Sequence, residues 1–322
     1  MTDRSLTRRQ LLAGGLGLVA SAATAGGVYK ALEQFGREDL IPGRATEIAL
    51  EPNRWRVTED KLSFAVLGDN GSGGQQAMAV AERLALSYRE QPFGLVSLLG
   101  DICYYGHISE RFDDVFVKPM KPLIDAGVEF ELAVGNHDGE LFWREGVPDV
   151  EATLELLGTP ARYYSVARGP AELFYLDSGP LGLLGPDGEA QLEWLDAALA
   201  ASTRRWRIVC SHHPMYSSGV HGPWPGLRQR LEPVLVRHHV DLVLTGHDHH
   251  YERTHPMNGI THVVSGGGCK LTPVDPRPYT AYADSVLQFL RIEIDGDRLT
   301  GRAIGVDGVA FDRFELRARE RR

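Results

Sequence analysis

Val243-Leu-Thr-Gly-His247-Asp-His249-His-Tyr-Glu-Arg253 is the stretch that decides how the rest of the chain is interpreted. A short apolar run, of the kind that forms a buried strand, ends at a glycine and is followed at once by clustered histidines. His247 and His249 are two residues apart, so in an extended backbone their rings lie on one side. Two neutral imidazoles on one side favour a transition-metal site. A polar surface loop rich in histidine is the alternative, and ligands elsewhere in the chain decide between the two.

Polar groups that bind metals also follow four earlier apolar runs, each predicted to be a strand. Because sites in open α/β sheets form beyond the carboxyl ends of strands, we expect these groups to meet His247 and His249. A single Gly-Asp is a common turn, but an ordered set of such ends is specific. The runs 62–67, 95–99, 129–134 and 207–210 end in Gly68-Asp69, Gly100-Asp101, Gly135-Asn136-His137-Asp138 and Ser211-His212.

Alternating strand and helix patterns predict an α/β fold with helices covering the sheets. Helical patterns cover 75–89, 109–126 and 189–200, the last with Asp187 as the predicted N-cap. Further strands are predicted at 162–167, 172–176, 261–265 and 286–294. Asp295-Gly296 and Asp307-Gly308 are typical of hairpin turns in the last third of the chain.

Length and composition exclude several classes of function. The 322 residues can form one large domain or two small ones, and 43% hydrophobic residues argue against disorder. A formal net charge of −9 leaves no basic stripe for nucleic acid. Cys103, Cys210 and Cys269 form no CxxC pair, which argues against a disulfide framework and a zinc ribbon.

The N-terminus predicts export from the cytoplasm. Arg8-Arg9 precedes an apolar run through Val28, and Ala23-Thr-Ala25 fits a cleavage site, which together resemble a twin-arginine signal over residues 1–30. An ordinary secretory signal or an uncleaved anchor is the alternative. No later apolar run is long enough to span a bilayer, so we expect a periplasmic or extracellular protein without a stable membrane span. Residues 31–61 are predicted to be a lead-in segment, 62–316 the domain, and 317–322 a basic tail.

The order of these motifs resembles the calcineurin-like metallophosphoesterases over about residues 62–271. Within them the sequence is similar to the small, single-domain purple acid phosphatases. That narrower resemblance rests on Gly100-Asp101-Ile-Cys-Tyr104, Gln191-Leu-Glu-Trp194-Leu195 and Gly246-His-Asp-His-His-Tyr-Glu-Arg253. It implies two mixed β-sheets packed as a sandwich and flanked by helices.

The resemblance also implies a centre of two metal ions, Fe(III) and a divalent ion (Fe, Zn or Mn). A phenol has a free pKa near 10 and binds well only to a strongly Lewis-acidic cation such as Fe(III), which makes Tyr104 informative. A tyrosine at the rim of the site is the alternative reading. One metal would take Asp69, Asp101, Tyr104 and His249; the other would take Asp101, Asn136, His212 and His247.

The implied activity is hydrolysis of small phosphate monoesters by in-line attack of metal-bound hydroxide. The resemblance places a protonated His137 beside the phosphate, with Asp138 orienting it. His221, in Val220-His-Gly-Pro223, is predicted to be a second histidine that contacts substrate, with a surface loop histidine as the alternative.

Two other functions fit parts of this pattern. A phosphodiesterase or nucleotidase with a Mn/Zn pair would use the same ligands with a different substrate pocket. A metal-binding or scaffold protein without catalysis predicts missing ligands or a missing His137, and none is missing. The sequence specifies neither the physiological ester nor an oligomeric state.

Overall fold

The computed structural model describes residues 48–53, 55, 57–138, 150–183 and 185–319. The predicted export signal lies outside these residues, as does the greater part of the predicted lead-in segment. Within the described part of the chain, no helix is long and apolar enough to cross a membrane. The three cysteines are buried and free of disulfides.

Thirteen strands and seven α-helices make up the described part of the chain. The strands are β1 (Lys61–Leu67), β2 (Leu95–Leu98), β3 (Glu129–Leu132), β4 (Tyr164–Arg168), β5 (Ala171–Tyr175), β6 (Trp206–Cys210), β7 (Leu242–Thr245), β8 (Tyr251–Thr254), β9 (Thr261–Ser265), β10 (Thr280–Asp284), β11 (Gln288–Asp295), β12 (Arg298–Gly305) and β13 (Ala310–Arg317). The helices are α1 (Gln75–Glu90), α2 (Ile108–Phe112), α3 (Lys118–Asp125), α4 (Val150–Leu157), α5 (Ser178–Gly182), α6 (Pro186–Ala201) and α7 (Pro225–Arg237).

The strands form two mixed sheets, as the predicted fold class requires. One has six strands in the order β13-β12-β11-β1-β2-β3, and the other has seven in the order β10-β8-β9-β7-β6-β5-β4. Strands β1, β2 and β3 are parallel, and so are β5, β6, β7 and β9. The carboxyl ends of these parallel strands carry the side chains singled out in the sequence.

Alternation along β1 shows how the layers pack. Phe64 and Val66 belong to the apolar layer between the two sheets, whereas Ala65 and Leu67 pack with helix α1 on the outer side. A third apolar cluster joins the second sheet to helices α5, α6 and α7. The molecule therefore has a helix–sheet–sheet–helix arrangement, in which the parallel strands β2, β7 and β9 are buried on both faces.

Several elements differ from the sequence prediction. The helix predicted at 109–126 is divided into α2 and α3 by a π-helical turn, Asp113–Val117. Pro119, in the first turn of α3, has no N–H to donate to the carbonyl of Val115, so the regular ladder is interrupted there. The predicted N-cap Asp187 is wrong, because α6 starts at Pro186 and Gly185 is its N-cap. Proline is favoured in the first turn of a helix, and Asp187 lies in that turn, where the helix dipole favours a carboxylate. Strands β8 and β10 were not predicted.

Candidate metal centre

The loops that follow β1, β2, β3, β6 and β7 bring the predicted metal-binding side chains into one buried cluster. Asp69 and His212 are fully buried, and Asp101 is 2% exposed. Ligand atoms of these three residues lie within 4.8 Å of one another. Burial of two carboxylates with several imidazoles is costly unless positive charge neutralises them, so the cluster suits cation binding.

Tight backbone turns aim these side chains inward. Asp69, Asp101 and His247 have φ values of 58°, 56° and 70°, in the left-handed region that residues other than glycine rarely adopt. Such backbone strain concentrates at functional sites. Gly135 allows the loops to approach, since a Cβ there would lie 2.3 Å from the Oδ1 atom of Asp101. The extended backbone predicted between His247 and His249 is therefore wrong, because the chain bends at His247.

Asp69, Tyr104 and His249 form the first group of donor atoms. The Tyr104 hydroxyl donates to Oδ1 of Asp69 at 3.0 Å and lies 3.0 Å from Nε2 of His249. Nε2 of His249 lies 3.5 Å from Oδ1 of Asp69. The other carboxylate oxygen of Asp69 accepts the backbone N–H of His247 at 2.8 Å, which ties the first strand loop to the histidine loop.

Asp101, Asn136, His212 and His247 form the second group. Oδ1 of Asn136 lies 2.9 Å from both Nε2 of His212 and Nδ1 of His247. Those two ring nitrogens are 3.3 Å apart, and Oδ1 of Asp101 is 3.4 Å from Nε2 of His212. Asp101, which the resemblance assigned to both metals, is counted with the second group.

The spacing and chemistry of these donors fit metal ions. With metal–ligand bonds of about 2.1 Å, neighbouring ligands of an octahedral or tetrahedral ion lie about 3.0–3.4 Å apart. The distances within each group, 2.9 to 3.5 Å, match that spacing. The Nδ1–H of His212 donates to the carbonyl of Leu99 at 2.7 Å, so Nε2 is the ring nitrogen that faces the other donors.

Electrostatics within the cluster favour positive charge. Burial opposes the charged form of Asp101, but His212 and His137 outweigh it and hold the carboxyl pKa well below its usual value. Burial likewise opposes a cationic His212, yet Asp101 and Asp69 raise its pKa to about 10. Burial, with the charges of Asp69 and Asp101, raises the pKa of the Tyr104 phenol well above 10. Only a strongly Lewis-acidic cation would deprotonate this phenol at neutral pH.

His137 lies at the edge of the cluster, beside Tyr104. Residues 136–138 form a turn, and the rings of His137 and Tyr104 are 4.8 Å apart between centroids. The His137 N–H donates to Oδ1 of Asp101 at 2.8 Å. Burial lowers the pKa of the His137 ring, so it is mainly neutral until an anion approaches.

Asp138 contacts backbone and not the ring that it was expected to orient. Its carboxylate accepts the N–H groups of Asp101 at 2.7 Å, Ile102 at 2.9 Å and Gly135 at 3.0 Å. Burial and the nearby Asp101 raise its pKa to about 7 in spite of these bonds. Asp138 therefore joins the loops after β2 and β3 and holds Asp101 in place.

Two further histidines line the open side of the cluster. The ring of His221 lies 4.5 Å from that of His247 between centroids, and its backbone N–H donates to Asp248. His213 is 5% exposed and has a ligand atom within 4.8 Å of those of His212 and His247. Nδ1 of His213 lies 2.9 Å from the Ser178 hydroxyl, so the ring is held by helix α5.

Lys270 is a site residue that sequence reasoning missed. Its Nζ lies 3.6 Å from the centroid of the Tyr104 ring, a cation–π contact of a half-buried side chain. Lys270 follows β9 and the run Gly266-Gly-Gly268. It could therefore have been predicted in the same way as the polar residues that follow the other parallel strands. Arg253, in contrast, donates to Asp312 at 2.7 and 3.0 Å and belongs to the scaffold.

A cavity of about 330 Å³ adjoins the cluster on the side of Asn136 and His213. Arg162 and Asp177 also line it, with 3.8 Å between Nη1 and Oδ2. Burial raises the pKa of Asp177 to about 6. The cavity is of a size that accommodates a small organic group next to the metal ligands.

A model of the calcineurin-like phosphoesterase family matches residues 62–251, the segment that carries these ligands. The chain belongs to the calcineurin-like phosphoesterase family. An uncharacterized protein of Mycobacterium tuberculosis is 31% identical over 193 residues, which is 52% of this chain and 35% of that protein. This phosphoesterase chain therefore spans about a third of the length of that relative.

Other similar proteins are acid phosphatases. Tartrate-resistant acid phosphatase type 5 of Sus scrofa is 26% identical over 248 residues, covering 66% of this chain and 71% of its own. The solved structure of purple acid phosphatase PPD1 from yellow lupin seeds has a TM-score of 0.67 at 22% identity. It covers 84% of this chain and 55% of the lupin chain, and at this identity the likeness is one of fold.

Proposed function

We propose that this phosphoesterase is an exported acid phosphatase that hydrolyses small phosphate monoesters at a centre of Fe(III) and a divalent ion. The observation that carries the proposal is the position of the Tyr104 hydroxyl, 3.0 Å from both a carboxylate oxygen of Asp69 and Nε2 of His249. A phenol among buried carboxylate and imidazole donors favours a trivalent ion. The family and the acid phosphatase relatives support phosphate-ester hydrolysis.

The proposed ligands follow the two groups of donor atoms. Asp69, Tyr104 and His249 would hold the trivalent ion, and Asn136, His212 and His247 the divalent one, with Asp101 shared. Bound there, the metals would supply Lewis acidity to a water nucleophile and to the phosphoryl oxygens. Asp138 keeps Asp101 in position through the backbone, and the Leu99 carbonyl fixes the ring of His212.

The open side of the cluster supplies groups that bind and protonate the ester. Lys270 stands over Tyr104 and His137 beside it, so both can face a phosphate dianion. Burial lowers the pKa of His137, and a dianion close to the ring raises it again. The ring would then hold a proton for the leaving oxygen, and His221 would contact the ester from the opposite loop.

The first experiment tests the metal assignment. Purified protein with quantified iron is expected to show a visible phenolate-to-iron absorption band, and Tyr104→Phe should abolish that band with iron retained. Tyr105→Phe is the matched control, because Tyr105 is the neighbouring tyrosine and not one of the proposed ligands. A colourless protein with a full complement of metal would exclude iron bound to Tyr104.

The second experiment tests the reaction. The same preparation is expected to hydrolyse a chromogenic phosphate monoester near pH 5, faster than the matched bis-ester. His137→Ala should lower kcat by about 10²–10⁴, the usual contribution of a general acid, with metal content kept. Preference for the bis-ester would replace the monoesterase proposal with a phosphodiesterase.

Export is the third part of the proposal, and it rests on Arg8-Arg9 and the apolar run after them. Replacing both arginines by lysine is expected to retain the protein in the cytoplasm, because twin-arginine signals depend on that pair. Cell fractionation measures the distribution, with Arg4→Lys as the control. Unchanged export of the double variant would favour an ordinary secretory signal.

A further inference from the structure

Three arginines form a row on the outer face of the six-stranded sheet. Arg291 on β11 is paired in register with Arg302 on β12, and Arg302 is paired with Arg313 on β13. Side chains directly opposite each other in antiparallel strands share a face, with Cβ atoms about 4.5–5.5 Å apart. Like charges in these positions repel each other, so the row is unfavourable unless negative charge lies close to it.

Helix α1 lies on this face and adds a fourth arginine. Arg83 lines a cavity of about 200 Å³ together with the three arginines of the row. Gly308, in the turn between β12 and β13, closes one side of the cavity. A Cβ at Gly308 would lie 2.9 Å from Nη1 of Arg83, so the turn approaches the guanidinium as closely as glycine allows.

Arg291 is the most deeply buried of the four, with 1% of its surface exposed. Its guanidinium donates to the hydroxyls of Ser63 at 3.0 Å and Ser87 at 3.2 Å, and to the carbonyl of Gln91 at 3.0 Å. Because these acceptors are neutral, they orient the guanidinium group without neutralising its positive charge. Burial lowers the pKa of Arg291 to about 10, so it stays cationic at neutral pH.

Carboxylates offset only part of this positive charge. Glu90 contacts Arg83, and Glu293 lies 2.7 Å from Arg302 and 3.5 Å from Arg291. Among the described residues these two carboxylates face four guanidinium groups in and around the cavity. The excess is equivalent to about two positive charges, in a chain whose formal net charge is −9.

We propose that this arginine cavity binds a dianionic oxyanion, a single phosphate group. Guanidinium groups donate in a planar fork that matches phosphate oxygens, and a dianion would balance the excess charge. The cavity is smaller than the 300–1,000 Å³ or so that drug-sized ligands occupy, which suits one tetrahedral ion with its water. This site is separate from the metal centre, because Arg291 pairs with Ala65 in the body of β1, about 13 Å along the strand from Asp69.

Equilibrium dialysis of the metal-loaded protein with inorganic phosphate, at fixed ionic strength, tests the proposal. Arg313 is exposed, so Arg313→Gln removes one cation of the row without opening the core. Arg298→Gln is the matched control, since Arg298 is an arginine of β12 outside the cavity that pairs with Glu315. Wild type and Arg298→Gln are expected to bind one equivalent of phosphate more than the metal centre takes up. In Arg313→Gln that equivalent should bind at least about tenfold more weakly, which corresponds to about 1.4 kcal/mol.

Two further measurements separate this site from the active centre. Competitive inhibition of monoester hydrolysis by phosphate reports the metal centre alone and should be equal in all three proteins. Arg302→Gln should weaken the additional equivalent in the same direction as Arg313→Gln. Because dialysis counts bound phosphate without turnover, the additional equivalent is detectable even if the chain has no phosphatase activity. Equal binding by wild type and Arg313→Gln would overturn the proposal.

The source of the phosphate group is distinguished by a second probe, phenylphosphonate, which is not hydrolysed. Tighter binding of phenylphosphonate than of phosphate at this site would indicate the phosphate group of a larger molecule. Tighter binding of inorganic phosphate would indicate the free ion. Either order of affinity supports the site. If Arg313→Gln leaves the binding of both probes unchanged, the proposal is contradicted.

Discussion

The metal centre, which lies at strand ends of both sheets, and the arginine cavity, which lies on the six-stranded sheet alone, gather charge of opposite sign. At the metal centre the charged groups stand on loops at strand ends, where left-handed turns at Asp69 and Asp101 bring donor atoms about 3 Å apart. In the arginine cavity they stand in register on the strands themselves. Side chains on several loops can converge on one point and coordinate a metal ion. Side chains in register on neighbouring strands form one side of a cavity, where they can attract an ion of opposite charge.

The two regions also differ in how the protein balances the charge. Asp101 lies 3.4 Å from His212 and raises the pKa of that ring. A cationic His212 therefore balances part of the negative charge of the carboxylates at the metal centre. The arginine row has too few carboxylates and relies on neutral hydroxyl and carbonyl acceptors. Removal of one charged residue should therefore abolish function at the first region and change stability or anion affinity at the second.

Asp101→Asn is expected to have the largest effect. The substitution removes the charge shared by both groups of donors, so metal content should fall and kcat for a phosphate monoester should drop by at least about 10²–10³. Metal analysis and steady-state kinetics on the same preparation measure both. Asp312→Asn is the control, because it removes a buried carboxylate that pairs with Arg253 and is not one of the proposed ligands. Full metal content in Asp101→Asn would show that the carboxylate is not a ligand.

Arg291→Met is expected to lower the free energy of unfolding by about 2–4 kcal/mol, because the buried hydroxyl and carbonyl acceptors lose a charged donor. Metal content and kcat should not change. Arg302→Met, on a partly exposed side chain, should cost about 1 kcal/mol or less. Urea denaturation of the three proteins provides the comparison. If Arg291→Met instead stabilises the protein, the free-energy cost of burying the cation is larger than the free energy gained from its hydrogen bonds.

The effect of His262→Gln is expected to appear mainly in how stability changes with pH. His262 is 3% exposed, and burial lowers its pKa to about 3. The folded state keeps this ring neutral while the unfolded state takes up a proton below about pH 6.5, so stability falls as pH decreases below that value. One such group contributes about 1.4 kcal/mol per pH unit, or about 2 kcal/mol between pH 6.5 and 5.

Denaturation at several pH values measures that slope. Wild type should lose stability toward pH 5 more steeply than His262→Gln, whatever the substitution itself costs at neutral pH. His239→Gln, at an exposed histidine in the loop before β7, is the control and should keep the wild-type slope. Equal slopes in all proteins would show that His262 is protonated in the folded state.

The sequence predicted the fold class because apolar runs and their glycine ends recur at intervals that only alternating strands and helices produce. It also predicted which side chains would meet, since parallel strands place their carboxyl ends at one edge. The prediction failed in local geometry. Extended backbone was predicted at His247, but a left-handed residue occurs there, because ligand loops are shaped by distant contacts such as that of Asp69 with the His247 N–H.

Other features depend on residues far apart in the chain. His213 reaches the ligands because helix α5 presents the Ser178 hydroxyl to its ring, and Lys270 stands over a tyrosine from a different sheet. The arginine row was invisible in the sequence, since residues 291, 302 and 313 share a face only once β11, β12 and β13 pair in register. The sequence by itself determined the fold class and the identity of the converging donors, because periodicity and strand ends are local properties. The tertiary structure alone decided their distances, the loop conformations and the arginine cavity, because register and packing join residues that the chain separates.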